Sequence, residues 1–406
     1  MNSQQHLGKI ALMESQQIDL SKLAITKDDL QIVGFKFNKS SEKSLTKPIS
    51  FVSGVLKRFV KNKWAVGFLI LLILILLLAI IVPLISPYPS FAPIVSNISP
   101  TFIRSLPPRL IGMDPIHTYQ GQISKVLVDA LQEINDKLPD GQKIIVGEPQ
   151  ILQGGTSAIL TIHPYRIPEL ANIYPIIGTD INGYDMWTKM WAGFASSLGV
   201  AVLVSVVSII LGTIYGAIAG TFAGTTVDIV MMRIIDVIGS IPTIVLLIVL
   251  SLVISSSGTN GESTTINTQS LTVSLILTNW MSPAYLVRMH IIRTKDAEYI
   301  QATRVIGGSR SRCIFVHMLP NISGRIFVRF VNTIPSIIFL QASLIFVGLQ
   351  SADTNTFGQI LQDTYDVTNV PQMLFGPVVL FCLFSVSMQI IANAMNDSID
   401  PRVVGR

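Results

Sequence analysis

The chain has 406 residues, half of them hydrophobic and only 13% charged, with a formal net charge of +5. A soluble domain carries about a quarter charged residues, so this much apolar side chain excludes a single soluble core and makes a bilayer the expected solvent. The basic residues cluster beside hydrophobic runs, which excludes nucleic acid as a partner, and Cys313 and Cys382 imply no disulfide framework.

In chain order, residues 1–56 read as a polar cytoplasmic tail with a short helix near "LSKLAITKDDLQIV". Lys57, Arg58, Lys61 and Lys63 then lead into "WAVGFLILLILILLLAIIVPLI", a first span placed at 57–86. This run is too long and too internal for a cleavable signal peptide. Residues 87–192 hold many prolines and mixed charge. The amphipathic "QISKVLVDALQEINDKL" predicts a helix, and "QKIIVGEPQ" and "SAILTIHPY" predict short strands, so this region reads as a small α+β insert outside the membrane.

Five further apolar runs follow in 193–395. They are "LGVAVLVSVVSIILGTIYGAIAGTFAG", "IIDVIGSIPTIVLLIVLSLVI" (kinked or begun at Pro242), "LTVSLILTNWMSPAYLVRMHII", "IFVRFVNTIPSIIFLQASLIFVGL" and "LFGPVVLFCLFSVSMQIIANAM". The expected fold class is therefore an all-α polytopic membrane protein of six transmembrane helices with a small α+β extracellular insert. Basic residues near the span ends place both termini in the cytoplasm. The fourth-to-fifth connection carries Arg288, Arg293, Lys295, Arg304, Arg310, Arg312, Arg325 and Arg329, whereas "SSSGTNGESTTINTQ" has no Lys or Arg. Residues 396–406 read as a cytoplasmic C-terminal tail, and its final "PRVVGR" is basic.

The cytoplasmic loop at 295–321 contains "EYIQATRVIGGSRSRCIFVHMLPN". A helix over Asp296–Ile306 ends at Gly307 and Gly308, where positive φ is cheap. Ser309 caps a second helix, which Pro320 stops. Its cationic face has two readings, contact with anionic lipid or a docking surface for another protein.

These residues resemble the cytoplasmic loop of bacterial ABC importer permeases, E-A-A-x3-G-x9-I-x-L-P. Gln301, Ala302, Gly307, Leu319 and Pro320 stand in register, with Gln301 for Glu, Thr303 for Ala and His317 at the Ile position. "VHMLPN" is similar to the oligopeptide and dipeptide branch. So are "GTDINGYD", with Tyr184 for the usual Arg, and "VDIVMMRIIDVIGSIP" at Asp228, Met232, Arg233, Asp236 and Pro242. "LQASLIFVGLQ", with Gln341 for Glu, and "NDSIDPR" at Asp397, Asp400, Pro401 and Arg402 complete the resemblance. It covers the first span and roughly 178–402.

The resemblance implies a permease fold and a chain that moves peptides by alternating access. Its implied partners are a second homologous permease subunit, two cytoplasmic ATPase subunits that bind ATP and Mg, an extracellular substrate-binding protein and the lipid bilayer. Gln301, Ala302, Thr303, Arg304, Gly307, Gly308, Arg310, Arg312, His317, Leu319 and Pro320 would couple to an ATPase. Asp228, Arg233 and Asp236 at the cytoplasmic edge either pair locally or help build that docking surface. Polar Asn279, Asn332 and Gln341 within spans either line the pathway or bond between helices. No cofactor, metal spacing or phosphate loop of the G-x-x-x-x-G-K-[ST] kind is present in the sequence, so the chain is expected to be non-catalytic. The competing expectation is a membrane anchor or scaffold that presents its insert to a partner and transports nothing.

Overall fold

A computed structural model describes residues 51–152, 157–258, 266–347, 355–366 and 372–399. The helix expected near residue 25, and Asp400, Pro401 and Arg402, lie outside the described residues. The described residues from Val55 onward form one unit.

Asn62 separates helix α1 (Phe51–Lys61) from α2 (Lys63–Ile85). Its extended backbone breaks the helical path, and its side chain accepts from Ala65 N at 3.3 Å to cap α2. The 23 residues of α2 reach about 34 Å at the usual helical rise, enough to cross the hydrocarbon layer. Four helical stretches among the described residues are long and apolar enough to span: α2, α4 (Met186–Thr221), Arg310–Phe346 and Met373–Ile399. A bent pair, α5 (Thr226–Gly239) and α6 (Thr243–Gly258), makes a fifth if taken as one span. The protein is thus a mostly helical, multi-pass membrane protein.

Two of the expected spans are broken, one of them at Pro242, where a kink or start was expected. The run around Pro242 divides into α5 and α6, whose axes differ by 89°. Proline has no N–H to continue the ladder, so α6 starts just after it and Pro242 O accepts from Leu246 N at 3.0 Å. The run at 271–292 divides into α7 (Thr268–Asn279) and α8 (Met281–Thr294) at Trp280. Pro283 cannot donate back to Asn279, which removes the bond that would bridge the break.

Helix α4 is held to α8 by a stripe of glycines at Gly212, Gly216 and Gly220. A Cβ at Gly212 would lie 2.6 Å from Trp280 O, and one at Gly216 would lie 3.0 Å from Val287 Cβ. In lipid the hydrophobic effect does not drive helices together, so close backbone approach across small residues carries the contact. Gly216→Val is expected to destabilise the fold by about 1–3 kcal/mol through overpacking. Unfolding of the detergent-solubilised protein measures this, and an unchanged midpoint would contradict the packing argument.

Between α2 and α4 lies a layer with its own apolar core, built around Phe102, Leu106, Tyr119, Ile123, Leu160 and Ile162. Helix α3 (Lys125–Asp136) packs on a three-stranded antiparallel sheet of order β1-β3-β2. The strands are β1 (His117–Ser124), β2 (Gln150–Ile151) and β3 (Ser157–Ile162). Strand β1 was not expected, because "HTYQGQIS" is polar and its interior Gly121 weakens a strand reading. Burial pushes the His117 imidazole down to about 4. Arg109 locks the layer to the segment before α4, with its guanidinium between the rings of Tyr165 and Tyr174 at 4.7 and 4.6 Å. The same group donates to Ala171 O at 2.7 Å and Ile173 O at 3.2 Å.

Helices α9 (Glu298–Val305), α10 (Leu319–Phe346), α11 (Phe357–Asp366) and α12 (Gln372–Ile399) complete the chain. Pro320 does not stop the helix begun at Ser309. One α-turn (Arg310–Arg312) and six residues of π-helix (Cys313–Met318) run straight into α10. The wider π-turn takes Leu319 N back to Ile314 O, five residues earlier, and Pro320 falls at the first turn of α10, where its missing N–H costs least.

Candidate functional site

The segment at 296–320 forms two short helices around a tight corner. Helix α9 closes with Gly308 N donating to Thr303 O at 2.9 Å and Gly307 N to Arg304 O at 3.0 Å, and Gly307 takes φ +85°. This is the six-to-one, five-to-two pattern of a glycine helix stop. Ser309 then accepts from Arg312 N at 3.3 Å and starts the next turn.

The inner side of the corner is apolar: Ile300, Cys313, Met318 and Ile322 are buried with Val287 and Ile291 of α8 and Ala217 of α4. Asn321 Nδ2 donates to Tyr299 Oη at 3.0 Å, tying the two arms together. Gln301 and Thr303 bond within their own arm, to Asp296 O at 3.1 Å and Tyr299 O at 2.8 Å.

The outer side is also apolar in part. Val305 and Ile306 are 86% and 85% exposed at the tip, and Phe315 and Val316 of the second arm are exposed too. Ala302, Arg304, Gly307, Arg312 and Pro320 are also exposed, with Gly308, His317 and Leu319 half-buried. The surface is therefore an apolar tip rimmed by arginines. Composition drew attention to the charges, yet the tip is the part that a partner can bury. Arg310 stacks over the Phe222 ring at 5.6 Å, which fastens the corner to the α4–α5 turn.

The charges expected at one edge serve different ends. Asp228 is buried and accepts both guanidinium bonds of Arg288 at 2.6 and 2.7 Å, and it also caps Gly224 N at 3.3 Å. Asp236 accepts from Tyr285 Oη at 3.0 Å, while Arg233 is exposed. Arg288 and Tyr285 on α8 thus complete pairs with α5.

Among the polar span residues, Asn279 turns back to its own helix, donating to Leu275 O at 2.9 Å. Gln341 is buried with neither amide atom partnered, and Asn332 Oδ1 is likewise unpartnered.

A further cluster sits at the opposite end of α4. Lys189, 4% exposed, contacts the carboxylates of Asp180 and, at 2.6 Å, Asp363. Asp180 also accepts from Asn182 N and Tyr184 N at 2.8 and 2.9 Å, and Asp363 from Gln359 Nε2 at 2.8 Å. The ammonium lies 5.0 Å from the Tyr184 ring centre. Just ahead of α4, Asp185 caps Thr188 N at 2.9 Å, and burial pushes its carboxyl above the usual range. Sequence reasoning missed the Lys189 cluster. Its signal was available, because Lys189 is the one Lys or Arg between Arg166 and Arg233.

Residues 212–405 match the profile of the inner membrane component of binding-protein-dependent transport systems. Residues 50–108 match the N-terminal membrane domain of oligopeptide transport permease C. The chain is 39% identical over 381 residues to the oligopeptide transport system permease protein OppC of Mycoplasma pneumoniae, covering 93% of this chain and 97% of that one. It is 30% identical over 228 residues to OppC of Bacillus subtilis, covering 56% and 71%. A dipeptide transport system permease protein, DppC of Lactococcus lactis, is 26% identical over 377 residues, covering 92% and 97%. The chain belongs to the family of inner membrane components of binding-protein-dependent transport systems.

Proposed function

We propose that the chain is the permease subunit of an ATP-driven importer that moves peptides into a prokaryotic cell by alternating access, and that it carries no chemistry of its own. The names of its relatives, oligopeptide and dipeptide permeases, support the cargo class. One observation carries the mechanism: the exposed Val305–Ile306 tip, rimmed by Arg304 and Arg312, continues through the π-turn into α10. A push on the tip is thereby delivered to a span through the hydrogen-bonded Gly307–Gly308 corner, and from Arg310 onward the helical path into α10 is unbroken. In this reading the chain crosses the plasma membrane six times, α5–α6 and α7–α8 each counting as one broken span. Both termini are cytoplasmic and the 87–192 layer faces outward, toward a substrate-binding protein.

A second permease subunit completes the pathway, and two cytoplasmic ATPases hold ATP and Mg. Asn332 and Gln341 are assigned to the pathway, since unpartnered amides inside an apolar bundle are costly unless polar traffic meets them. Gln341, closed off here, meets cargo only after the spans repack.

Purification from native membranes in mild detergent tests the assembly. The expected result is two ATPase subunits and one further permease per copy of this chain. Val305→Asp with Ile306→Asp should release the ATPases while the permease pair remains. ATPases absent from the wild-type complex, or fully retained by the double variant, would overturn the reading.

A further inference from the structure

We infer that the basic end of α1 is a binding surface for anionic lipid headgroups, at the leaflet where the first span begins. This rests on the membrane-spanning character of α2 and not on the identity of the cargo. At 100° per residue, α1 divides into three faces. Val55 and Phe59 form the first, buried at 8% and 5%, and Phe59 packs on Ile391 and Ala394 of α12. Leu56 and Val60 form the next, 56% and 62% exposed. Lys57 and Lys61, both exposed, lie one step further round.

An apolar strip beside a cationic strip is the geometry of a helix lying where acyl chains meet headgroups. Chain connectivity holds α1 at that depth, because only Asn62 separates it from α2. Lys63 and Trp64, the latter 77% exposed, open the span itself and extend the same boundary.

The cations have few protein alternatives. The sequence contains no Asp or Glu between Glu42 and Asp114. Arg58 donates to Ser398 O at 3.2 Å, at the end of α12, whereas Lys57, Lys61 and Lys63 form no ion pair among the described residues. Fixing Arg58 and Phe59 on α12 orients the helix, so its lysines face outward as a set. A zwitterionic surface would satisfy the apolar strip alone, while an anionic surface satisfies both strips.

Trp64 provides the test. The full chain, in the complex with which it purifies, is reconstituted into vesicles containing bromine-labelled acyl chains on either phosphatidylglycerol or phosphatidylcholine. The difference between the wild type and Trp64→Phe isolates the Trp64 signal from the other three tryptophans. Brominated phosphatidylglycerol should quench Trp64 at a lower mole fraction than brominated phosphatidylcholine. Each lysine near an anionic surface adds roughly fivefold in local affinity, so Lys57→Gln with Lys61→Gln should remove roughly 25-fold of the preference. Raising salt should weaken what the wild type shows. Equal quenching by the two lipids, a preference unchanged in the double variant, or a Trp64 that neither lipid reaches because protein covers it would each overturn the inference.

Discussion

Lys189→Met is expected to cost about 3–5 kcal/mol of stability, the usual penalty for removing one partner of a buried ion pair. The methionine preserves the stem's packing, so the loss comes from Asp180 and Asp363, left buried without a cation. The consequence is local before it is global. Asp363 belongs to α11, and Phe357 N on the same helix donates to Ser197 Oγ of α4 at 3.0 Å. Lys189 is therefore one of the polar ties between α11 and α4, and it binds the turn at Asp180 as well. Removing the second carboxylate should relieve part of the penalty, so Lys189→Met with Asp363→Asn should be more stable than Lys189→Met alone. Unfolding in detergent followed by a double-mutant cycle measures the coupling. A Lys189→Met protein as stable as the wild type would show that the cluster holds nothing together.

Gly307→Pro is expected to abolish peptide uptake and the cargo-stimulated part of ATP hydrolysis, with insertion into the membrane unchanged. The substitution violates the corner twice. Proline holds φ near −65° where Gly307 has +85°, and it removes the N–H that Arg304 O accepts. Gly307→Ala should be far milder: nothing lies within 4 Å of an added Cβ, so only the left-handed backbone is penalised, by about 1 kcal/mol. The pair separates shape from bulk. Equal defects in both variants would point to crowding at the ATPase, and normal uptake by the proline variant would end the coupling role. In the proposed assembly the corner is remote in sequence from the 87–192 layer, so binding of a substrate-binding protein serves as the control and should stay intact.

Local chemistry made several of these features legible before any coordinates. The first span needed only an uninterrupted apolar run of the right length. The corner at Gly307 needed only a glycine pair followed by serine, since stop and cap are decided within a few residues. Helix α3 and strand β3 followed from amphipathic period and alternation. Breaks at Pro242 and Trp280 were signalled by prolines, but not their size, because a proline removes a bond without saying where the freed segment will pack.

The errors share a cause. Pro320 was read as a terminator because a proline ordinarily ends a helix, whereas a π-turn placed it at the start of α10. Val305 and Ile306 are apolar positions whose cover the sequence left open, and the fold buries Ile300 against α8 while leaving those two exposed. The Lys189 cluster joins residues 180, 189 and 363, and no periodicity relates positions so far apart.

By itself, the sequence determined that this protein lives in a bilayer, where its helices run and where one cationic corner interrupts them. Those properties depend on hydropathy, on missing N–H groups and on permitted φ angles, all of which act within a few residues. Tertiary structure alone decided which side of the corner is exposed, which carboxylates share Lys189 and how closely α4 approaches α8. Such outcomes depend on which surfaces meet across long sequence separations, and on the burial that makes an unpaired charge or an added methyl costly.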